Sequence, residues 1–375
     1  MTAIARLLAR KRPAPSWGRT LLRRTAIGAG LGYAGGVLGY ALLRPLLGER
    51  EGWIELADDL EPWTYAPAPV IGLLGAALGS GNLMAAGVAL AATFGLRWGH
   101  RYLRHSTPTP DARSQVDFTV MTFNTLAWQR EGRDIEASIA SANPDLVGLQ
   151  EIGPRGAEYL ARALADRLPH HYITQSATSS GAAVLSRYPI LDPVAFRASP
   201  SGHWWQRMTV DAPFGPVTYL NVHTKIPHIR TTHQKLAGHG FPREFHAEQR
   251  RGEVRSLVAM LDKIAGPVIV GGDFNLTERS PDHRMLASRL HDAYQSVGAG
   301  FGLTFPKRGS LPPAFPMPWP ILRLDYIWHS RHFTPSWAYR GDGGQSDHHP
   351  IVAGLRLNAA AAQPGTGVPL AASTV

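Results

Sequence analysis

Between residues 116 and 358 one pattern recurs: a short apolar run that stops on a polar or acidic side chain. The runs are 116–123, 145–150, 182–185, 217–222, 268–271, 324–328 and 350–355. Their length and alternation mark them as strands. Between them lie helical patterns. One covers 134–142 and another 243–264, where Val254, Leu257, Val258, Leu261 and Ile264 repeat at helical spacing. This is a mixed α/β domain. Its strand-end residues are Asn124, Gln150, Glu151, His223, Asp273, Asn275, Asp325, Asp347 and His348, and strand ends can bring side chains together over one edge of a sheet.

The hundred residues before this domain have a different character. Residues 25–43 carry no charge, and 19 residues at about 1.5 Å each reach across a bilayer core of about 30 Å. We read them as a transmembrane helix, against the alternative of a cleaved export signal behind Arg23 and Arg24. Gly28, Gly32, Gly35, Gly36 and Gly39 give it small-residue spacings that admit a second helix at close range. Residues 1–24 hold seven Arg/Lys and no acid, which keeps that end cytoplasmic. An acidic loop at 44–66 leads to a second apolar stretch at 67–96, interrupted by Gly79-Ser-Gly-Asn82. That stretch is one long helix or a short hairpin. One crossing leaves the following domain cytoplasmic, and a hairpin leaves it external. Residues 97–115 read as a linker, 116–358 as the main soluble domain and 359–375 as a disordered tail.

Of the formal charge of +10, the first 105 residues hold +6 and the other 270 hold +4. The main domain is therefore only mildly basic, which argues against a nucleic-acid groove without excluding one. There is no cysteine, so thiolate metal sites, disulfides and cysteine nucleophiles are out. Carboxylates, amides and imidazoles without sulfur make an oxygen-rich site suited to Mg²⁺, or to Mn²⁺ in its place. Phosphate is the natural substrate for such an ion.

The segments Met121-Thr-Phe-Asn124, Leu149-Gln-Glu151, Leu185-Ser-Arg-Tyr188, Asn221-Val-His-Thr224, Gly271-Gly-Asp-Phe-Asn275, Arg323-Leu-Asp-Tyr326 and Ser346-Asp-His-His-Pro350 resemble, in order, those of the endonuclease/exonuclease/phosphatase superfamily. That resemblance implies a four-layer α/β/β/α sandwich and metal-assisted hydrolysis of a phosphoester or pyrophosphate. It makes Glu151 the metal-binding glutamate, with Asn124 and Asp347 near the ion. Asp273 and Asn275 orient the attacking water and a phosphoryl oxygen. His348 faces the scissile phosphate, Asp325 orients it, and His223 stands in the second-histidine position. The group that takes the proton from water stays open. The stretch from Asp273-Phe-Asn-Leu-Thr277 to Thr304-Phe-Pro306 also resembles membrane-anchored bacterial members, including those linked to glycopeptide resistance. With the apolar N-terminus, this favours a multi-pass protein of the inner membrane acting on a lipid-linked phosphate. A membrane-tethered nuclease and a non-catalytic membrane scaffold are the alternatives.

Other features have two readings. His228, His233, His239 and His246 lie in a basic stretch whose spacings do not match a zinc pair, so it is a head-group loop or a solvated insertion. Trp328 belongs to the core. Trp204 and Trp205, with the Pro-rich stretch 311–320 and Trp319, rim the pocket or dip toward lipid. Arg187 and Arg323 form structural ion pairs, and His349 packs or meets solvent.

Overall fold

The computed structural model describes residues 17–47, 53–103, 115–126, 133–174, 181–236, 239–307 and 319–358. The basic extremity 1–16, residues 311–318 of the Pro-rich stretch, most of the predicted linker and the tail 359–375 lie outside them. The chain divides into two compact units. One holds 1–48 with 60–100, and the other holds 49–59 with 101–375.

The first unit is helical. Helix α1 (Trp17–Leu43) begins eight residues before the predicted span and takes in Arg19, Arg23 and Arg24. The second apolar stretch is the hairpin: α3 (Ala68–Ala77) and α4 (Gly81–Trp98) turn at Gly79, whose φ is +61°. Ser80 caps α4 by accepting from the Leu83 amide. The two arms approach so closely that a Cβ on Gly87 would lie 2.4 Å from the Gly72 nitrogen, which confines that position to glycine. The five glycines singled out on α1 have no neighbour within 4 Å of a notional Cβ. They therefore do not form the packing seam expected of them within this chain.

The acidic segment departs from its expected form. It is not an open loop: α2 (Trp53–Asp59) occupies its middle, and Glu55, Asp58 and Glu61 are buried.

The second unit is built on two six-stranded sheets. Strands β1 (Phe118–Asn124) and β2 (Leu146–Ile152) run parallel at the centre of the first, whose edge strands are β3 (His170–Thr174) and β13 (Phe333–Arg340), in the order β13-β14-β1-β2-β4-β3. Strands β7 (Gly215–His223) and β10 (Val268–Asp273) run parallel at the centre of the second, whose edge strands are β5 (Ile190–Arg197) and β11 (His291–Asp292), in the order β11-β12-β10-β7-β6-β5. Their antiparallel neighbours include β4 (Gly181–Ser186), β6 (Trp204–Ala212), β12 (Asp325–His329) and β14 (Ile351–Leu357).

Three apolar clusters define the layers. Phe118, Val120, Leu146, Met208, Tyr219, Ile269 and Ile327 fill the space between the sheets. Ile135 and Ile139 of α5 (Arg133–Ala142) and Leu160 of α6 (Pro154–Ala163) cover the outer face of the first sheet. Val254 and Leu257 of α7 (Glu248–Leu261) and Leu286 of α8 (Pro281–Ala287) cover the second. This is the α/β/β/α sandwich.

Polar residues pin the two sheets in register. Gln150 donates to Asn221 Oδ1 at 2.6 Å, and Asn221 donates to Gln206 Oε1 at 2.9 Å. Gln206 in turn donates to the Ala182 carbonyl at 3.1 Å. All three amides are buried, and apart from Gln150 Oε1, which has no partner among the described residues, their bonds fix one arrangement of the sheets over its neighbours. Gln150 thus stitches the sheets together rather than joining the strand-end cluster.

Two assignments change in this unit. The His-rich stretch is a two-stranded ladder, β8 (His228–Leu236) with β9 (His239–His246), where His228 pairs with His246. Helix α7 consequently starts at Glu248, five residues after the predicted start.

Candidate active site

Parallel strands in one sheet end at the same edge, and an antiparallel neighbour begins there. Asn124 closes β1, His223 closes β7, Asp273 closes β10 and Asp325 opens β12. The register sets His223 and Asp325 on either side of Asp273. The loop before β14 brings Ser346, Asp347 and His348 to the same rim, where the Ser346 hydroxyl donates to the Asn124 carbonyl at 2.7 Å.

Glu151 is placed by a bulge. The pairing of β2 with β4 skips it between Gln150 and Ile152, and its φ is +54°. A glutamate in left-handed backbone is uncommon, and bulges beside active sites re-aim a side chain. Here the carboxylate meets the Asn124 amide nitrogen at 3.2 Å and stands 3.6 Å from His223 Nε2. The same Asn124 nitrogen donates to Asp273 Oδ2 at 2.9 Å. Its Oδ1 accepts from the Leu126 amide, so the nitrogen of Asn124 faces the carboxylates.

Asp273 is the hub. Its Oδ2 lies 3.6 Å from His223 Nε2 and 3.8 Å from His348 Nε2, while Oδ1 accepts from the Asn275 amide at 3.0 Å. Asn275, at φ +47°, donates its side-chain nitrogen to the Thr224 carbonyl at 2.9 Å. On the other side of His348, Nδ1 lies 2.8 Å from Asp325 Oδ2. The Phe305 ring packs against this imidazole with centroids 4.8 Å apart.

Burial and crowding set the charges. Burial pushes the Asp273 carboxyl up to about 7, and the nearby Asp325 charge adds to that, against the opposing pull of His348. Burial also raises Glu151. For His348, burial alone would lower the imidazole, but Asp325 and Asp273 outweigh it and push it up to about 10. His348 is therefore an imidazolium at neutral pH. Burial drives His223 well below its usual value, helped by repulsion from His203 and His348.

The donor set fits a hard divalent cation. The Asp273 and Asp325 carboxylates and the His348 ring lie within 4.8 Å of one another, the oxygens being the hard donors while the ring is charged, and Glu151 joins them through the shared Asn124 nitrogen. Asp325 Oδ1 is buried with no hydrogen-bond partner among the described residues. Several carboxylates around one imidazolium leave an excess of negative charge that a cation offsets.

The structure thus brings Asn124, Glu151, His223, Asp273, Asn275, Asp325, Asp347 and His348 to one rim, where the Asp347 charge acts on both Glu151 and His348. It also adds His203, which sequence reasoning passed over. Its ring stacks on His223 at 3.8 Å between centroids, with 6° between planes, and its only signal was adjacency to Trp204. Trp205 is not a rim residue: it is buried, and its Nε1 donates to the His223 carbonyl at 2.8 Å. Trp204 stacks with Arg197. Trp328 is core. Arg187 pairs with Asp145 at 2.8 Å and Arg323 with Asp292 at 2.7 Å, as structural ion pairs should. His349 is half-buried, with Nδ1 3.1 Å from the Gly341 carbonyl.

Residues 121–348 match the sequence model of the endonuclease/exonuclease/phosphatase family. The chain belongs to that family. Its members hydrolyse phosphoric esters, so this endonuclease/exonuclease/phosphatase protein is a phosphoric ester hydrolase of a generally divalent-metal-dependent class. Among solved structures, the family protein from Bacteroides vulgatus matches over 65% of this chain and 100% of its own, at 19% identity and TM-score 0.50. That likeness supports the fold. A family protein from Beutenbergia cavernae matches over 65% and 72% of the two chains, at 23% identity and TM-score 0.46. Sphingomyelinase C from Streptomyces griseocarneus matches over 63% and 98%, at 22% and 0.45. No curated protein sequence matches the chain.

Proposed function

We propose that this chain is a membrane-anchored, Mg²⁺-dependent hydrolase that cleaves a phosphoester or pyrophosphate on a lipid. The observation that carries the hydrolytic reading is the chain of close contacts at one rim that runs from Glu151 to His223, from His223 to Asp273 and from Asp273 to His348, with Asn124 bridging Glu151 and Asp273. Glu151, with Asp347 beside it, would hold the cation, which when bound supplies Lewis acidity toward a phosphoryl oxygen; Asn124, expected near the ion, turns its side-chain nitrogen to Glu151 and Asp273 and steadies those carboxylates instead.

Asp273, with its carboxyl near 7, is matched to accept a proton from water at neutral pH. Asn275 fixes that carboxylate through its backbone amide. His348, kept charged by Asp325, presents Nε2 as a donor to a phosphoryl oxygen and stabilises the charge that grows there. His223, buried and neutral, can donate a ring N–H hydrogen bond to the departing oxygen.

Support for the lipid comes from α1 and the turn after it, Trp17–Leu46, thirty residues long and apolar enough to cross a membrane. An enzyme held at a bilayer meets head groups at high local concentration. Helices α3 and α4 bear on sidedness. At about 1.5 Å per residue, the ten residues of α3 extend about 15 Å, half a bilayer, so the hairpin returns the chain to the side it left. With the basic N-terminus inside, the site then faces outward in this reading. The cysteine-free chain makes the test direct. Ala3→Cys should resist a membrane-impermeant maleimide in intact cells, and Ala287→Cys, exposed on α8, should react. Labelling of Ala3→Cys alone would reverse the orientation.

Substrate class is tested by Mg²⁺-dependent phosphate release from lipid phosphates, lipid pyrophosphates, nucleotides and DNA, beside Glu151→Ala. The expected result is release from the lipid substrates at least tenfold faster than from the others. Cleavage of DNA alone, falling steeply with salt, would establish the tethered nuclease instead.

A further inference from the structure

We infer that Glu55 and Asp59, on helix α2 far upstream of the family's matched residues, are positioning residues for the catalytic loop Asp273-Phe-Asn-Leu-Thr277. The inference rests on the hydrolytic reading above.

The loop's inner side is held by its own domain. The Phe274 amide donates to the Leu324 carbonyl at 2.8 Å, and the Thr224 amide to the Asp273 carbonyl at 3.0 Å. The outer side is held differently. The Asn275 carbonyl accepts from Arg250 Nη1 at 2.6 Å, and the Thr277 hydroxyl donates to Asp59 Oδ1 at 2.5 Å. Arg250 is therefore the strut behind Asn275, and its aim depends on what grips its other nitrogens.

Two carboxylates do so. Asp282 Oδ2 accepts from Arg250 Nε at 2.8 Å, and Glu55 Oε1 accepts from Nη2. Glu55 also takes a bond from Ser280 Oγ at 3.3 Å, and its second oxygen accepts from Arg251 Nη2 at 3.2 Å. Arg251 Nε closes the ring on Asp282 Oδ1 at 3.1 Å. Both acids are fully buried and Arg250 nearly so, so this is a neutral set of two acids and two arginines with little water to replace a missing member.

The family match covers 121–348. Within it, Asp282 faces both guanidinium groups, and Glu55, outside it, supplies a further carboxylate to both. Without Glu55, the Nη2 edge of Arg250 loses its charged acceptor and is left with the Ser280 hydroxyl at 3.3 Å, and the strut can tilt away from the Asn275 carbonyl. A displacement of the order of 1 Å at a catalytic group costs about 10²-fold in rate. Asn275 and Asp273 are joined through the Asn275 amide, so such a displacement reaches the carboxylate placed to accept the proton.

The test uses the full-length protein with its best substrate from the release screen, each variant assayed well below its own melting midpoint. Glu55→Ala is expected to lower kcat about 30-fold with KM within about twofold. Glu55→Gln, which keeps an acceptor for Arg250, should recover most of that loss. Thr277→Val cuts the Asp59 contact without stranding an arginine and should lower kcat about threefold, so the proposal stays testable if Glu55→Ala does not fold. Asp145→Asn, which breaks the remote Arg187 pair, is the structural control and should lower the melting midpoint with kcat unchanged. Wild-type kcat in Glu55→Ala, or in Thr277→Val where Glu55→Ala does not fold, or a loss confined to KM, would overturn the positioning role. Full turnover in Glu151→Gln would instead sink the hydrolytic reading itself, so the two failures are distinguishable.

Discussion

Replacing His348 with glutamine is expected to lower kcat by about 10³-fold, the range general acid–base groups contribute, in a protein that still folds. The imidazole is buried between two carboxylates, 2.8 Å from Asp325 and 3.8 Å from Asp273, so its loss removes the cation that faces the phosphoryl group. Glutamine keeps an N–H for Asp325, which avoids the larger cost of stranding a buried carboxylate. Turnover by phosphate release, with a thermal melt of the same sample, separates the two effects. Near wild-type turnover in the folded variant would refute the assignment.

The same pair carries a pH signature. The folded-state value of His348, about 10, lies above the roughly 6.5 of a free imidazole. Its contribution to stability is thus fully present below about pH 6.5 and is lost as pH rises through the folded value. Asp273 works the other way. Its carboxyl, raised to about 7 from an unfolded value of about 3.9, favours folding most when protonated, so its contribution declines as pH rises from about 4 to 7. Asp325→Asn removes the chief partner of His348 and should flatten the alkaline loss in melts run from pH 6 to 10.

The site was legible because its residues sit where the strand pattern breaks. Asn124, Glu151, His223, Asp273 and Asp325 each follow or open an apolar run, and parallel neighbours deliver such ends to one edge. The bulge that turns Glu151 inward left no mark, since Gln150 and Glu151 read as one continuous strand end. Helix α7 was placed early because it has no start signal: Ala247 holds the cap position and offers no side-chain bond. Its apolar repeat begins only at Val254, and residues 243–246 were free to join β9. Trp204 and Trp205 were read together, yet strand alternation sends them to opposite faces, one into the core and one against Arg197.

Long-range pairing accounts for what stayed hidden. Glu55 meets Arg250 across 195 residues, and no local period couples positions so far apart. An acidic stretch between two apolar segments reads as solvated loop until the arginines that bury it are located. His203 stacks on His223 across a similar gap in information: an isolated histidine beside two tryptophans carries no spacing that marks it.

Glu151→Gln should separate function from stability with opposite signs. At saturating Mg²⁺ we expect kcat to fall about 10³-fold, the scale of losing a main electrostatic contributor to the transition state. In metal-free protein the melting midpoint should rise by about 2–4 °C, equivalent to about 1 kcal/mol for a domain of this size. The reason lies in the charge that the site gathers. Burial raises the Glu151 carboxyl, and the nearby Asp347 and Asp325 charges push in the same direction against Asn124 and His348. A carboxyl whose folded value exceeds its unfolded one opposes folding when ionised at neutral pH. The amide keeps an oxygen for the Asn124 nitrogen and drops the charge. Added Mg²⁺ should then stabilise the wild type, because an ion bound only by the folded state shifts the midpoint by mass action, and should do little for Glu151→Gln. EDTA should abolish wild-type turnover, and Mg²⁺ should restore it. A Mg²⁺-induced melting shift of full size in Glu151→Gln would show that the cation is held elsewhere on the rim. In that case Asp273 and Asp325, whose carboxylates belong to one cluster within 4.8 Å, would be the residues to vary next.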